Sequence, residues 1–439
     1  MLALKKYKKK NIAIYGMGIT GRSVAKIFKK FKIKTFNWDD SEKIRKNLKL
    51  NDYQLAKFWL PEFKIDYIII SPGIDINKCK IKKYLKKNFN KVITDIDIFF
   101  ELNKSAKIIA ITGTNGKSTT CKIVEKILKT AGYNIKTVGN IGSPILSLNN
   151  MKKKYFYILE LSSYQLEYSK LARFKHAIIL NISPDHLDRH KNIKNYTEIK
   201  SKIFLSQKKS DYTYINSSNQ NSSLIEKLFE KKKIKSNLIK VKASILKPIY
   251  KKIKNPYFKS QGNIENLAFA YSIVKKIKIN DKIIIKAINN FKGLPHRQQI
   301  IFSNSILTCV NDSKATSFDA SLQSLSVFSK IYWIVGGIPK KNDTFFINKI
   351  SKNIVKAYII GKSTNFFIKK IKGKVTYKVS YSIVNAIKSI FNDIRKEKDS
   401  KSTILLSPGA ASYDQFKNFE ERGNYFKKLI LKKFKKSYV

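Results

Sequence analysis

Apolar residues fall in short runs that alternate with longer, one-sided apolar stretches along the whole chain. In the first hundred residues the runs are Asn11 to Tyr15, Lys32 to Phe36 and Asp66 to Ile70, and each predicts a strand. Gly16-Met17-Gly18-Ile19-Thr20-Gly21 predicts a turn, and Arg22 to Lys30 a helix. A second set begins near Ala106. It has a strand from Ile108, a helix over Cys121 to Leu128, and strands at Tyr155 to Leu159 and His176 to Leu180. From Ser206 to Lys259, lysine, serine and asparagine predominate, which predicts loops and short, irregular strands; a helix follows over Asn263 to Lys276. A third set begins near Ile300, with strands at Ile331 to Val335, Ala357 to Ile360 and Thr403 to Leu406. Strands alternating with helices predict an α/β fold with parallel sheets throughout. The 439 residues give room for two to four domains, each with its own core.

One segment carries clear chemistry. Ile108 to Thr112 is apolar, Gly113-Thr114-Asn115-Gly116 is a glycine turn, and Lys117-Ser118-Thr119-Thr120 leads into a helix. That order builds a phosphate cradle. Backbone N–H groups close on phosphate oxygens, the helix N-terminus adds positive potential, Lys117 neutralises charge, and Ser118 can reach a magnesium ion. A general P-loop has a glycine where this chain has Ile111, so the turn is a tighter variant. A nucleoside triphosphate is the expected ligand.

Other polar clusters follow predicted strands, Glu160-Leu161-Ser162-Ser163-Tyr164-Gln165 and Asn181 to Asp188, and Gly139-Asn140-Ile141-Gly142 is a small-residue turn. Parallel sheets bind ligands at the carboxyl ends of their strands. Glu160 and His186 are therefore magnesium-ligand candidates, against the plainer readings of an exposed strand-end acid and a helix-capping histidine. His176 and His190 are expected to be structural. Gly16 to Gly21, with Asp39 and Asp40 about 20 residues on, matches the dinucleotide fingerprint and would by itself suggest NAD.

Charge changes this picture little. The formal net charge is +59, but only seven of the 89 basic residues are arginine. The lysines are spread over the whole chain beside many asparagines and isoleucines, as coding drift in an AT-rich genome produces. Nucleic-acid readers favour arginine and gather charge on one face, so no specific nucleic-acid partner is expected. No apolar run approaches the roughly 20 residues that span a bilayer, and no apolar segment follows basic Met1 to Lys10 as in a signal peptide. Three scattered cysteines, Cys79, Cys121 and Cys309, fit a reducing compartment. A cytoplasmic monomer without a membrane partner is the expectation.

Taken together, Thr112 to Thr119, Glu160-Leu161-Ser162-Ser163, Asp185-His186-Leu187-Asp188, Leu294-Pro295-His296-Arg297 and Asn311 to Thr316 resemble the ATP-dependent Mur ligases, a family that includes the folylpolyglutamate synthetases. The resemblance covers essentially the whole chain. Ser71-Pro72-Gly73-Ile74 and the run Leu406 to Gly423 resemble the members that add D-glutamate; another Mur ligase or a folylpolyglutamate synthetase is the alternative.

The resemblance implies three domains: a Rossmann-like domain over 1–104, a central ATPase domain with a parallel sheet and the phosphate loop over 105–298, and a Rossmann-like domain over 299–439. It implies ATP and Mg2+, with UDP-N-acetylmuramoyl-L-alanine and D-glutamate joined through an acyl phosphate. The glycine turn, through Gly18 and Thr20, would then serve the diphosphate of UDP rather than NAD, with Asp39, Asp40 and Ser71 around uracil and ribose. Asn140 and His186 would contact the same substrate. ATP would meet Gly113, Thr114, Asn115, Gly116, Lys117, Ser118, Thr119, Asn263, Asn266, Arg297, Asp312 and Lys314. Two magnesium ions are implied: Ser118 and Glu160 would hold one, and His186 and a carbamylated lysine the other. Tyr196 with a lysine four residues on puts Lys200 in the carbamylated position and leaves Lys202 as the fallback. A free lysine titrates near about 10.4, so carbamylation needs a depressed pKa, which burial near other cations provides. Lys117, His186 and Lys200 are thus the implied catalytic set. Thr316, Lys340, Ser412 and backbone at Phe419 would bind D-glutamate. Ile338-Pro339 departs from the family pattern before Lys340, which leaves Lys341 as a substitute.

Overall fold

Continuous apolar runs form the middle of three sheets, because a parallel strand flanked on both faces must be apolar on both. The computed structural model describes residues 2–50, 53–104, 106–139, 144–147, 155–340, 347–348, 350–396 and 401–435. The first sheet holds β1 (Ile12–Tyr15), β2 (Thr35–Trp38), β3 (Tyr67–Ile70) and β4 (Val92–Ile93), all parallel, in the order β2-β1-β3-β4. The second holds β5 (Lys107–Thr112), β6 (Ile135–Gly139), β7 (Phe156–Glu160), β8 (His176–Ile179), β9 (Tyr212–Asn216) and β10 (Asn237–Val241). It too is wholly parallel, in the order β10-β9-β8-β5-β7-β6. The third holds β11 (Gln299–Ser303), β12 (Leu307–Asn311), β13 (Ile331–Gly336), β14 (Ile354–Ile360), β15 (Tyr377–Tyr381) and β16 (Ser402–Leu406), in the order β11-β12-β16-β13-β14-β15. In the second sheet β5 and β7 neighbour each other, so the phosphate loop and Glu160 leave adjacent strand ends.

Three expectations are corrected. The sheets are not parallel throughout, since β11 runs antiparallel to β12. Only Asn304-Ser305-Ile306 joins them, too short for a parallel crossover, and the Asn304 side chain accepts from the Ile306 and Leu307 amides at 3.0 and 2.7 Å to close the turn. The second strand starts at Thr35, not Lys32, because Lys32 adopts a left-handed φ of 55° in the turn that ends helix Ile19–Lys30. The stretch after Ser206 is regular as far as Val241, with β9 and β10 flanking helix Ser222–Lys231, and is short turns and single helical turns from there to Lys259. Its polar core atoms are matched internally. Tyr214 hydroxyl lies 2.9 Å from His176 Nδ1, and Arg173 clasps buried Asp211 at 2.7 and 3.0 Å.

Contacts gather the chain into two compact units, Met1–Ile253 with Glu265–Asn289, and Lys254–Ile264 with Asn290–Val439. The first unit contains the first two sheets, which share one apolar core running from Ile12 and Ile14 through Phe99 to Ile108 and Ala110. Helix Asp95–Leu102 joins them. Thr94 caps it, and Asp97 accepts from Ser169 hydroxyl and the Lys170 and Leu171 amides at 2.8 to 3.0 Å. Among the described residues no helix is long and apolar enough to cross a membrane.

Candidate functional site

The phosphate loop sits between β5 and helix Lys117–Thr130. Gly116, the residue before the helix, has φ +81°, and a Cβ there would lie 2.2 Å from Asn266 Oδ1. Only glycine meets both demands without strain. Asn266 also accepts from Thr120 hydroxyl at 3.2 Å, so it packs behind the loop. Asn181, just beyond β8, braces the loop from the other side. Its carbonyl takes the Thr114 amide at 3.0 Å and its side chain the Asn115 amide at 2.8 Å. Thr114 hydroxyl adds contacts to Ser183, and Tyr196 hydroxyl stands 3.4 Å away. Lys117 reaches back to the carbonyls of Gly113 and Thr114 at 2.8 and 2.7 Å. Ser118 and Thr119 are buried in the first turn of the helix, and Glu160 is buried at the end of β7.

Lys200 lies on helix Ile193–Ser201 and is 1% exposed. Its Nζ donates to Gly113 carbonyl at 2.9 Å and Thr112 hydroxyl at 3.3 Å, and stands 4.7 Å from the centre of the Tyr196 ring. Burial, then the nearby charge of Lys117, push its pKa well below the usual lysine range. Its amine thus faces the phosphate loop. Lys202 turns away to the Glu167 carbonyl. His186 caps helix Leu187–His190 with a left-handed φ of 53°. Its Nδ1 lies 3.1 Å from Tyr164 hydroxyl and its Nε2 3.5 Å from Asp185. His176 and His190 are buried, bonded to Tyr214 and Ser163, and burial pushes both pKa values down to about 4. Both are structural.

In the first sheet, the glycine turn follows β1. A Cβ at Gly21 would lie 2.1 Å from the Gly16 carbonyl, whereas one at exposed Gly18 would meet nothing within 4 Å. The turn is therefore closed by packing at one end and open to a ligand beside Gly18. Thr20 is half-buried in the first turn of the helix that follows. Asp39 is committed locally, accepting from the Met17 amide at 2.7 Å and the Ser41 amide at 2.9 Å. Asp40 accepts from Tyr15 hydroxyl at 2.7 Å, and Ser71 donates to the Gly16 carbonyl at 2.5 Å.

The second unit carries its own cluster. Asn263 donates to the Tyr257 carbonyl at 2.9 Å and to Gln298 at 3.1 Å. Asp312 follows β12, accepts from the hydroxyls of Ser324 and Ser407 at 2.5 and 3.0 Å and from the Gln298 amide at 3.2 Å, and is pushed by burial up to about 6. Arg297 is half-buried, in an isolated bridge with Leu294. Lys314 Nζ stands 3.8 Å from the Phe419 ring centre. Thr316 is half-buried and Ser412 is buried. Lys340 is exposed, just past the Ile338–Ala411 bridge. Asn140 and Lys341 lie outside the described residues.

The structure thus gathers Gly113 to Thr119, Lys200 and Asn266 around one loop, with Glu160 on the neighbouring strand end. It groups Asp312, Lys314, Ser412 and Phe419 separately in the second unit. Sequence reasoning gave no role to Asn181, Tyr164 or Arg422. Asn181 and Tyr164 lie in polar clusters just past strands and Arg422 in the run Leu406 to Gly423, but none of the three was singled out. Among the described residues no three His, Cys, Asp or Glu side chains converge on a metal-sized site. The donors present suit an ion held largely by triphosphate oxygens with one or two protein oxygens, as Mg2+ prefers.

The family model for the Mur ligase middle domain matches residues 111–289. The UDP-N-acetylmuramoylalanine–D-glutamate ligase of Rickettsia bellii (strain RML369-C) is 36% identical over 444 residues, covering 96% of this chain and 98% of that protein. The ligase of the same name from Rickettsia felis (strain ATCC VR-1525 / URRWXCal2) is 37% identical and covers 97% and 98%. A crystal structure of MurF ligase from Thermotoga maritima in complex with ADP shares the fold, with a TM-score of 0.56 at 15% identity over 85% of this chain and 90% of that one.

Proposed function

The chain belongs to the Mur ligase family, and from that premise we propose that it joins D-glutamate to UDP-N-acetylmuramoyl-L-alanine at the expense of ATP, a step of peptidoglycan synthesis in the cytoplasm. The alanyl carboxylate attacks the γ-phosphorus of ATP, the β–γ bridging bond breaks, and ADP leaves. The D-glutamate amine then attacks the acyl carbon, loses a proton, and phosphate departs as the amide forms. Carboxylate and triphosphate repel each other, so the site must supply positive charge and exclude water.

Lys117 and the loop from Gly113 to Thr119 hold the phosphates, with Asn263, Asn266, Arg297, Asp312 and Lys314 completing the ATP site. Ser118 and Glu160 would hold one Mg2+ ion, and His186 and carbamylated Lys200 a second, which would neutralise charge on the phosphoryl oxygens. Residues 1–104 take the UDP end through Gly18, Thr20, Asp39, Asp40 and Ser71, with Asn140 and His186 from the central domain of 105–298. Residues 299–439 bring D-glutamate through Thr316, Lys340, Ser412 and Phe419.

The observation that carries this reading is Lys200. A buried lysine whose pKa is pushed down beside a phosphate loop is the kind of amine that reacts with carbon dioxide. As its carbamate it becomes an anionic ligand where a plain ATPase loop has none. The test is to trap the intermediate. With ATP and UDP-N-acetylmuramoyl-L-alanine but no amino acid, borohydride should reduce the activated alanyl carboxyl to the alcohol, detected by mass. Absence of that alcohol in an enzyme that still forms product would exclude the acyl phosphate.

A further inference from the structure

Arg422, on helix Phe419–Lys435, is 1% exposed, and among the described residues no carboxylate lies within ion-pair distance of it. Its Nε donates to Ser313 hydroxyl at 3.0 Å, and its Nη2 to the carbonyls of Ser313 and Ala410 at 2.8 and 3.0 Å. Ser313 hydroxyl passes the chain on to the Phe419 carbonyl at 2.9 Å. One guanidinium therefore fixes three segments: the loop between Asp312 and Lys314, the residues leading to Ser412, and the start of the helix at Phe419. Two polar atoms of this cluster are buried without a hydrogen-bond partner, Arg422 Nη1 and Ser412 Oγ. Pinning two carbonyls and a hydroxyl uses three N–H donors and no anion, so none of these partners compensates the buried charge. Burial depresses even this group, down to about 10, with Asp414 opposing. A charge kept at such cost, in a low-dielectric interior where fields reach farther than in water, points to an anion that arrives with the substrate.

We propose that Arg422 is a positioning residue of the acceptor pocket and gives it a buried positive charge that selects an amino acid with a second carboxylate. The proposal rests on the ligase reading above. Arg422→Gln keeps donors for the carbonyls and removes the charge; Arg422→Lys keeps the charge and loses the fork. Thermal melts establish that each variant is folded. Initial rates are then measured with D-glutamate and with D-glutamine, alongside KM for ATP. Arg422→Gln should raise KM for D-glutamate about tenfold or more, reduce the preference for D-glutamate over D-glutamine by a similar factor, and leave KM for ATP unchanged. Arg422→Lys should stay within about threefold of the parent on each. Equal impairment of both variants, an unchanged preference in Arg422→Gln, or an impaired Arg422→Lys whose preference has collapsed would overturn the proposal; should Arg422→Gln not fold, the Lys variant alone decides by that last criterion. A parent enzyme that ligates no D-glutamate would instead sink the ligase reading, before either variant is consulted.

Discussion

Asp312→Asn should stabilise the second unit at neutral pH while lowering turnover. Burial raises Asp312 from an ordinary 3.8 to about 6, a shift of about two units, or about 3 kcal/mol between the two protonation states. The sign follows from proton counting. Between those values the folded state binds the extra proton, so stability is fully present below about pH 4 and falls as pH rises through about 6. Asparagine removes the ionisation but offers one acceptor where the carboxylate has two, so the hydroxyls of Ser324 and Ser407 must rotate to accept; that rearrangement costs about 1 kcal/mol. The net gain is about 2 kcal/mol near neutrality and vanishes in acid. The assay has a built-in reporter. Trp333 donates its indole N–H to the Ser407 carbonyl at 2.8 Å, next to the Asp312 contact. The chain has only two other tryptophans, Trp38 and Trp59, and replacing both with phenylalanine leaves Trp333 emission to report this unit. Urea curves at about pH 7.5 and about pH 4.5 should differ in midpoint shift, with the Asn variant ahead only at the higher pH. A variant less stable at neutral pH, or one whose gain persists in acid, would refute the reasoning.

Lys200→Ala should abolish turnover yet leave ADP binding measurable by calorimetry; wild-type turnover would remove Lys200 from the mechanism. Tyr164→Phe deletes the hydroxyl 3.1 Å from His186 Nδ1 and preserves the ring, tilted at 49° to the imidazole with centroids 4.9 Å apart. Loss of such an orienting partner should raise the Mg2+ concentration for half-maximal rate about tenfold, and should likewise weaken Mn2+ binding followed by its paramagnetic resonance signal; no change in either would show the contact to be idle. Gly116→Ala forces a left-handed backbone, costing about 1–2 kcal/mol, and drives a methyl into Asn266. Weaker ADP binding is expected, and an unchanged affinity would mean the loop is not the nucleotide cradle.

What could be read from sequence followed burial. Central strands such as β5, β7, β13 and β16 are buried on both faces, so their apolar runs announced them. Edge strands β10, β11 and β15 expose about two in five of their residues and mix lysine, serine and tyrosine into the pattern, which hid all three. The phosphate loop was legible because its chemistry is local in sequence. Lys200 was picked out only through the resemblance, whose motif sets a lysine four residues after a tyrosine such as Tyr196. Arg422 lies in the run Leu406 to Gly423, but its own role was not legible, because in a chain with 89 basic residues each one resembles solvated surface until its burial is known. The bond from Tyr164 to His186 joins residues 22 apart through a turn in left-handed backbone, which no periodicity foretells.

The central claim is that the phosphoryl group passes to a carboxylate and that D-glutamate takes the product. Phosphate release measured with ATP, Mg2+ and UDP-N-acetylmuramoyl-L-alanine, with the amino acid varied, tests it most directly. Release should require D-glutamate and should not be supported by L-lysine, meso-diaminopimelate or L-alanine. Release with one of those instead, or none with D-glutamate, would contradict the account.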